Sequence, residues 1–221
     1  MGGGHPPPPV HDPVRLTVAS QRISIFPLPG AMLFPGLQLP LHIFEPRYRA
    51  MIGDALVRDR RIGMIQPRHE AEGAPLYGIG CLGKIIDVEA LEDGRYNIVL
   101  EGEARFRVLR ELDVTSLFRQ VEAELIADAP DDHLAPVERA LFEREARIFA
   151  AAQGYAVDWN SVARLDDASL INGVSQIAPF DIAARQALLE APDLKVRSDL
   201  LVQLMQFYGR RDGDEDRTTL Q

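Results

Sequence analysis

The stretch that decides the fold is YGIGCLGKIIDVEALEDGRYNIVLEGEARFRVL, residues 77–109. It opens with G-x-G-x-x-G at Gly78, Gly80 and Gly83. A dinucleotide loop with that spacing needs a strand before it and a helix after it, so that the pyrophosphate meets the helix N-terminus. Here KIIDVEAL follows Gly83. It is β-branched and lacks a 3.6-residue period, and it runs into Asp93-Gly94, a hairpin turn signal because glycine accepts positive φ. No helix opens at Gly83, and no cofactor is expected. The glycines instead predict bulges, tight bends or close backbone approaches in a strongly curved sheet. Beyond the turn, Ala104, Phe106 and Val108 alternate with Arg105 and Arg107, the pattern of a half-buried strand.

Working outward, ISIFPL (23–28), RIGMIQ (61–66) and FRQVEAELI (118–126) also read as strands. One helix is predicted over 45–59. Pro46 sits in its first turn, and Tyr48, Met51, Ile52, Ala55 and Leu56 form its apolar face. After a polar linker at 128–133 the texture turns helical. Val137, Leu141, Ile148 and Ala152 form an apolar stripe, Glu143 and Arg147 an i,i+4 pair, and Gly154 a stop. Two short helices follow in 158–178, then one bounded by prolines. The last begins with Asp193 as N-cap and ends with Gly209 at C′. The expected class is α+β: residues 1–20 a disordered Gly/Pro leader, 21–128 a β-rich domain with one helix, 129–209 a helical bundle, and 210–221 a disordered acidic tail.

Bulk properties restrict the function. The 221 residues carry a net charge of −9, which disfavours nucleic acid and anionic membrane surfaces. A single cysteine, Cys81, excludes an intrachain disulfide and a multi-thiolate zinc site. The N-terminus lacks the features of a signal peptide, and a cytoplasmic location is the default expectation. No catalytic constellation rises above background. Gly83-Lys84 is followed by Ile85 where a P-loop needs Ser or Thr. Lys195 and Ser198 are neighbours on one helix, His42 and His69 have no partner at metal-ligand spacing, and Asp166-Asp167 reads as a cap. Neither a metal nor a catalytic residue is assigned. What stands out is FPLPGAMLFPGLQLPLHIFEPRYRAMI, residues 26–52, broken by proline every few residues. Such segments form edge strands or loops. Any of their large apolar residues left out of the core would line a surface for a partner or peptide.

These blocks resemble the N-terminal domain of the Lon protease family. The resemblance runs through IFPLPGAMLFPGLQLPLHIFEPRYRAMI (25–52), IGMI (62–65) and the 77–109 stretch. Gly80, Gly83, Glu101-Gly102 and Arg105 fall on the family's glycine and basic positions. A second block is LINGVSQIAPFDIAARQALLEAPDLKVRSDLLVQLM (170–205), where Gln186, Leu188, Leu189, Glu190, Asp193 and Arg197 occupy motif positions. The resemblance implies a PUA-like β pseudo-barrel followed by a helical bundle. It also implies a stand-alone substrate-binding-type protein without the ATPase and Ser-Lys peptidase modules that follow this region in Lon. The expected function is non-catalytic binding of exposed apolar segments of unfolded or degradation-bound polypeptides, in a groove near residues 33–52. Candidate contacts are Leu33, Phe34, Leu37, Ile43, Phe44 and Tyr48. Glu45 and Arg47 are expected to fix the helix start. The alternatives are a scaffold for one dedicated folded partner (a protease among them), a small hydrolase using His42 or His69, and RNA binding, which the charge opposes. The expected state is a monomer or weak dimer.

Overall fold

The computed structural model describes residues 20–126 and 133–218, with side chains described through Gly209. The order is β1 (Gln21–Pro27), β2 (Gln38–Ile43), α1 (Pro46–Leu56), β3 (Arg61–Ile65), β4 (Ile79–Ala90), β5 (Tyr96–Glu111) and β6 (Gln120–Ile126). The helices α2 (Pro136–Ala152), α3 (Trp159–Val162), α4 (Asp167–Ile177), α5 (Ile182–Glu190) and α6 (Leu194–Thr218) complete it. Residues 1–19 of the expected 1–20 leader, residues 127–132 with most of the expected 128–133 linker and the expected domain boundary, and the last three residues of the expected tail (219–221) lie outside the described residues.

The strands close on themselves. β1 pairs parallel with β3, and β3–β4, β4–β5, β5–β6 and β6–β1 pair antiparallel. The result is a five-strand barrel with β2 added as an edge strand on the first half of β5. Pro40 lies in that edge strand, where a missing N–H is tolerated. β5 is long enough to serve both sides: Tyr96–Glu101 faces β2, and Arg105–Glu111 faces β6. The β4–β5 turn uses Gly94 at φ 78°, as Asp93-Gly94 predicted.

The glycines of the opening stretch make room. Phe106 fills the barrel interior with Ile23, Ile25, Ile65, Leu82, Val121 and Ala123 around it. A Cβ on Gly80 would sit 2.5 Å from both the Phe106 ring and the Met64 carbonyl, and one on Gly83 would sit 2.8 Å from Leu33. Gly83 also borders a register shift between β4 and β5. Gly78 has open space beside it, so its identity is not explained by packing.

A second, larger core lies outside the barrel and is shared by both halves of the chain. Met32, Leu33, Phe34 and Ile43 join Met51 and Ile52 of α1 and Phe142, Ile171, Leu188 and Leu201 of the helices. The change of texture near residue 128 therefore marks a change of secondary structure, with one continuous apolar core running across it.

Four expectations need correcting. On α2 the buried residues are Phe142, Glu145, Ala146, Phe149 and Ala150, so the Val137/Leu141/Ile148/Ala152 stripe faces outward. Both faces of this helix are apolar, and packing against α6 selects the one with the two phenylalanines. Glu143 pairs with Arg139 at 2.6 Å, while the Arg147 guanidinium lies 4.3 Å from the centre of the Trp159 ring. α6 runs through Gly209 to Thr218, against the predicted stop at Gly209. Arg105, expected on a solvated strand face, is buried because the helices cover that face. The α1 face, the Gly154 stop (φ 71°) and the helices at 158–190 follow the prediction.

Candidate functional site

The residues expected to line a groove near 33–52 do not share a surface. Leu33, Phe34, Ile43 and Tyr48 are buried in the shared core, Leu37 is half-buried, and Phe44 is 60% exposed. The physical reason lies far along the chain. The Phe34 backbone N–H donates to Gln176 Oε1 at 3.1 Å, Asn172 Nδ2 donates to the Pro35 carbonyl at 3.1 Å, and the Arg197 guanidinium sits 5.6 Å from the Phe34 ring centre. Helices α4 and α6 thus cover this segment at Phe34 and Pro35. A ligand reaching Phe34 would have to displace that cover, and Leu33 and Ile43 are core with it, whereas Tyr48 also walls a cleft at the start of α1 and Phe44 stays exposed.

The motif positions that carry the sequence resemblance build the junction between barrel and helices. Arg105 Nη1 donates to the Leu189 carbonyl at 3.1 Å and also to the Ala191 carbonyl, and Nη2 donates to the Pro192 carbonyl at 3.1 Å. Arg197 Nε donates to the Leu188 carbonyl at 2.8 Å, and its Nη1 donates to Asn172 Oδ1 at 2.7 Å. Two guanidiniums therefore serve the carbonyls at the C-terminal end of α5, where the helix dipole favours cations and the last carbonyls have no intrahelical donor. Gln186 Nε2 reaches back to the Ile79 carbonyl at 3.1 Å. Across the β5 surface, Gly102 lets the Phe34–Leu37 loop approach, because a Cβ there would collide with the Phe34 carbonyl oxygen. These residues are structural.

A cleft of about 740 Å³ with a mixed lining opens at the start of α1, charged at Glu45, Arg47, Glu72 and Arg119 and apolar at Pro27, Leu117 and Phe118, with His69 beside them. Arg47 pairs with Glu45 at 2.9 Å and Glu72 at 3.3 Å; Glu45 stands at the N-cap of α1 but its side chain makes no cap hydrogen bond, and both residues line the cleft. Tyr48 forms part of its wall, and burial holds its phenol above the usual tyrosine range. Arg119 pairs with Glu111 at 2.6 Å and holds that carboxyl below its ordinary range. His69 lines this cleft, whereas His42 lies on β2, bonded through Nδ1 to Asn97 at 2.7 Å. Lys195 is ion-paired with Glu138 and Asp199, and Ser198 is buried. Cys81 is fully buried. Asp166 caps α4 through the Ser169 N–H at 2.8 Å. No group of three or more His, Cys, Asp or Glu side chains among the described residues is placed to hold a metal. Nor is any described helix long and apolar enough to cross a membrane.

A different cavity, of about 530 Å³, opens among the helices. α2 supplies Ala146, Phe149 and Ala150, α4 supplies Leu170, Gly173, Val174 and Ile177, and Met205 comes from α6. Tyr155, Val157, Trp159 and Leu165 help to complete the wall. No lining residue is charged. Ile177 is 79% exposed at the rim, and Gly173 leaves open space where a side chain would stand. An apolar concavity of this size suits uncharged side chains and disfavours ions, which would lose their hydration there. Sequence reasoning missed it. Its walls come from segments far apart in the chain, and the signal that existed was an excess of apolar residues on α4, where Val174 and Ile177 add to the buried Leu170 and Ile171.

The comparisons agree with this architecture. Residues 22–206 match the family described as the ATP-dependent protease La (LON) substrate-binding domain. Lon protease 2 of Myxococcus xanthus is 28% identical over 199 residues, covering 84% of this chain and 23% of that protein. Lon protease of Anaeromyxobacter dehalogenans is 27% identical over 197 residues, covering 83% and 23%. The chain thus spans about a quarter of the length of these relatives. Among solved structures, a Lon N-terminal domain protein from Xanthomonas campestris superposes with a TM-score of 0.65 at 23% identity, covering 83% of this chain and 98% of that one. The N-terminal domain of Mycobacterium avium complex Lon protease gives 0.66 at 18% identity, covering 84% and 98%. With the family match spanning most of the chain and the fold in accord, this protein belongs to the LON substrate-binding domain family.

Proposed function

We propose that this chain is a non-catalytic module that binds polypeptide, taking apolar side chains of unfolded segments into the cavity between α2, α3 and α4. One observation carries the proposal: a cavity of about 530 Å³ with no charged residue in its lining, in a protein of net charge −9. The family description, which names substrate binding, supports the same role. Two or three large side chains would each gain about 2 kcal/mol by burial there. After the ordering cost of an unfolded segment, that leaves an affinity on the order of 100 µM or weaker for each segment. An unfolded chain offers many such segments, which strengthens its apparent binding in proportion.

The test uses one fluorescently labelled protein, folded and then permanently unfolded, titrated with this chain and followed by anisotropy. The unfolded form binds and the folded form does not. Filling the cavity with Gly173→Leu, or charging its rim with Ile177→Asp, weakens binding by about tenfold or more, the loss of roughly one buried side chain. The single tryptophan, Trp159, lines the cavity and reports occupancy by its own fluorescence. Equal binding by both variants and the parent would refute the assignment of this cavity.

A further inference from the structure

α2 presents a second apolar face to solvent. Val137 is 75% exposed and Ile148 59%, with Leu141 and Ala151 also exposed. Together with Arg144 these residues follow one another at spacings of four, three, four and three, the seam of a helix that packs along another helix. A helix with one neighbouring core needs one apolar face; α2 has two, and Phe142, Ala146 and Phe149 already occupy the inner one.

The middle of the outer seam specifies the occupant. Arg144 stands there, held at 2.8 Å by Glu145 of its own helix. Arg147 is exposed close by, its guanidinium over Trp159. A second copy packed symmetrically on this seam would bring two Arg144 side chains together at its centre, and burying like charges is unfavourable. A partner helix with a carboxylate at the central seam position would meet Arg144 instead. Glu145 would then keep Gln206, whose Nε2 donates to its other oxygen at 3.2 Å. We infer that the outer face of α2 docks an amphipathic helix of another protein, one with an apolar seam and an Asp or Glu at its centre.

The probe is a surface-displayed library of helices with the seam positions randomised, selected against the intact chain. The expected result is an apolar seam with Asp or Glu enriched at its central position. Isolated winners should bind Leu141→Asp and Ile148→Asp at least tenfold more weakly, while both variants melt as the parent does. Selection against Arg144→Glu should shift the central preference to Lys or Arg. No enrichment, or winners indifferent to both aspartate variants, would overturn the inference. So would a concentration-dependent dimer in sedimentation that Ile148→Asp abolishes, because it would place a second copy on the seam.

Discussion

Replacing Arg105 by methionine tests how the barrel and helices are held together. The side chain is 2% exposed and donates to three carbonyls at the end of α5, those of Leu189, Ala191 and Pro192. Methionine preserves much of the apolar stem and removes every donor. Hydrogen bonds to a charged group contribute about 1.5–3 kcal/mol each, but the guanidinium also carries a desolvation cost that methionine lacks. The expected net loss is about 3–5 kcal/mol, a large share of a typical 5–15 kcal/mol of folding stability. With a urea m-value of about 2 kcal/mol/M, the midpoint falls by roughly 2 M. Arg105→Lys, which keeps the charge but not the fork, falls about half as far. Urea unfolding followed by Trp159 fluorescence and by far-UV circular dichroism reads both quantities. A midpoint within about 0.5 M of the parent for Arg105→Met would refute the reasoning, since apolar replacement would then match the buried guanidinium.

Three further outcomes follow from the same geometry. Gly80→Ala, whose Cβ would lie 2.5 Å from the Met64 carbonyl, destabilises by about 1–3 kcal/mol or more in urea unfolding, whereas Gly78→Ala, with open space, stays near the parent. Phe34→Ala costs about 3–5 kcal/mol because the ring is fully buried, and Phe44→Ala, at 60% exposed, changes stability by less than about 0.5 kcal/mol; thermal melts of the two variants check this. Hydrogen bonds from the Ser169 backbone and hydroxyl hold the Asp166 carboxyl below its ordinary range. Its contribution to stability is therefore present above the unfolded carboxylate value of about 4 and is lost as pH falls through the lowered folded value. Asp166→Asn, which keeps a cap acceptor without the titration, should show a smaller loss of stability in calorimetry as pH falls from about 5 to about 2.

Much of the fold was legible because its signals are local. The strand texture of 77–109, the Asp93-Gly94 turn and the Pro46 helix start each depend on a few adjacent residues, and each appears in the structure. The candidate contacts were not legible in the same way. Phe34 and Phe44 sit in one proline-broken segment, and nothing local separates them. Gln176 and Arg197, far downstream in the chain, cover the first, while the second remains exposed.

By itself the sequence determined the α+β class and the strand and helix order, while its resemblance to the Lon N-terminal family marked Gly80, Gly102, Arg105, Gln186 and Arg197. Backbone preference and hydrophobic period act over a few residues, so they can be read in one dimension. Only the tertiary structure decided that the barrel closes through β5, that Arg105 faces helix carbonyls rather than water, and which face of α2 is covered. Burial depends on what arrives from elsewhere in the chain. For a helix with two apolar faces, the choice between core and open surface is made by packing, and it moved the candidate site from the proline-broken segment to the helices.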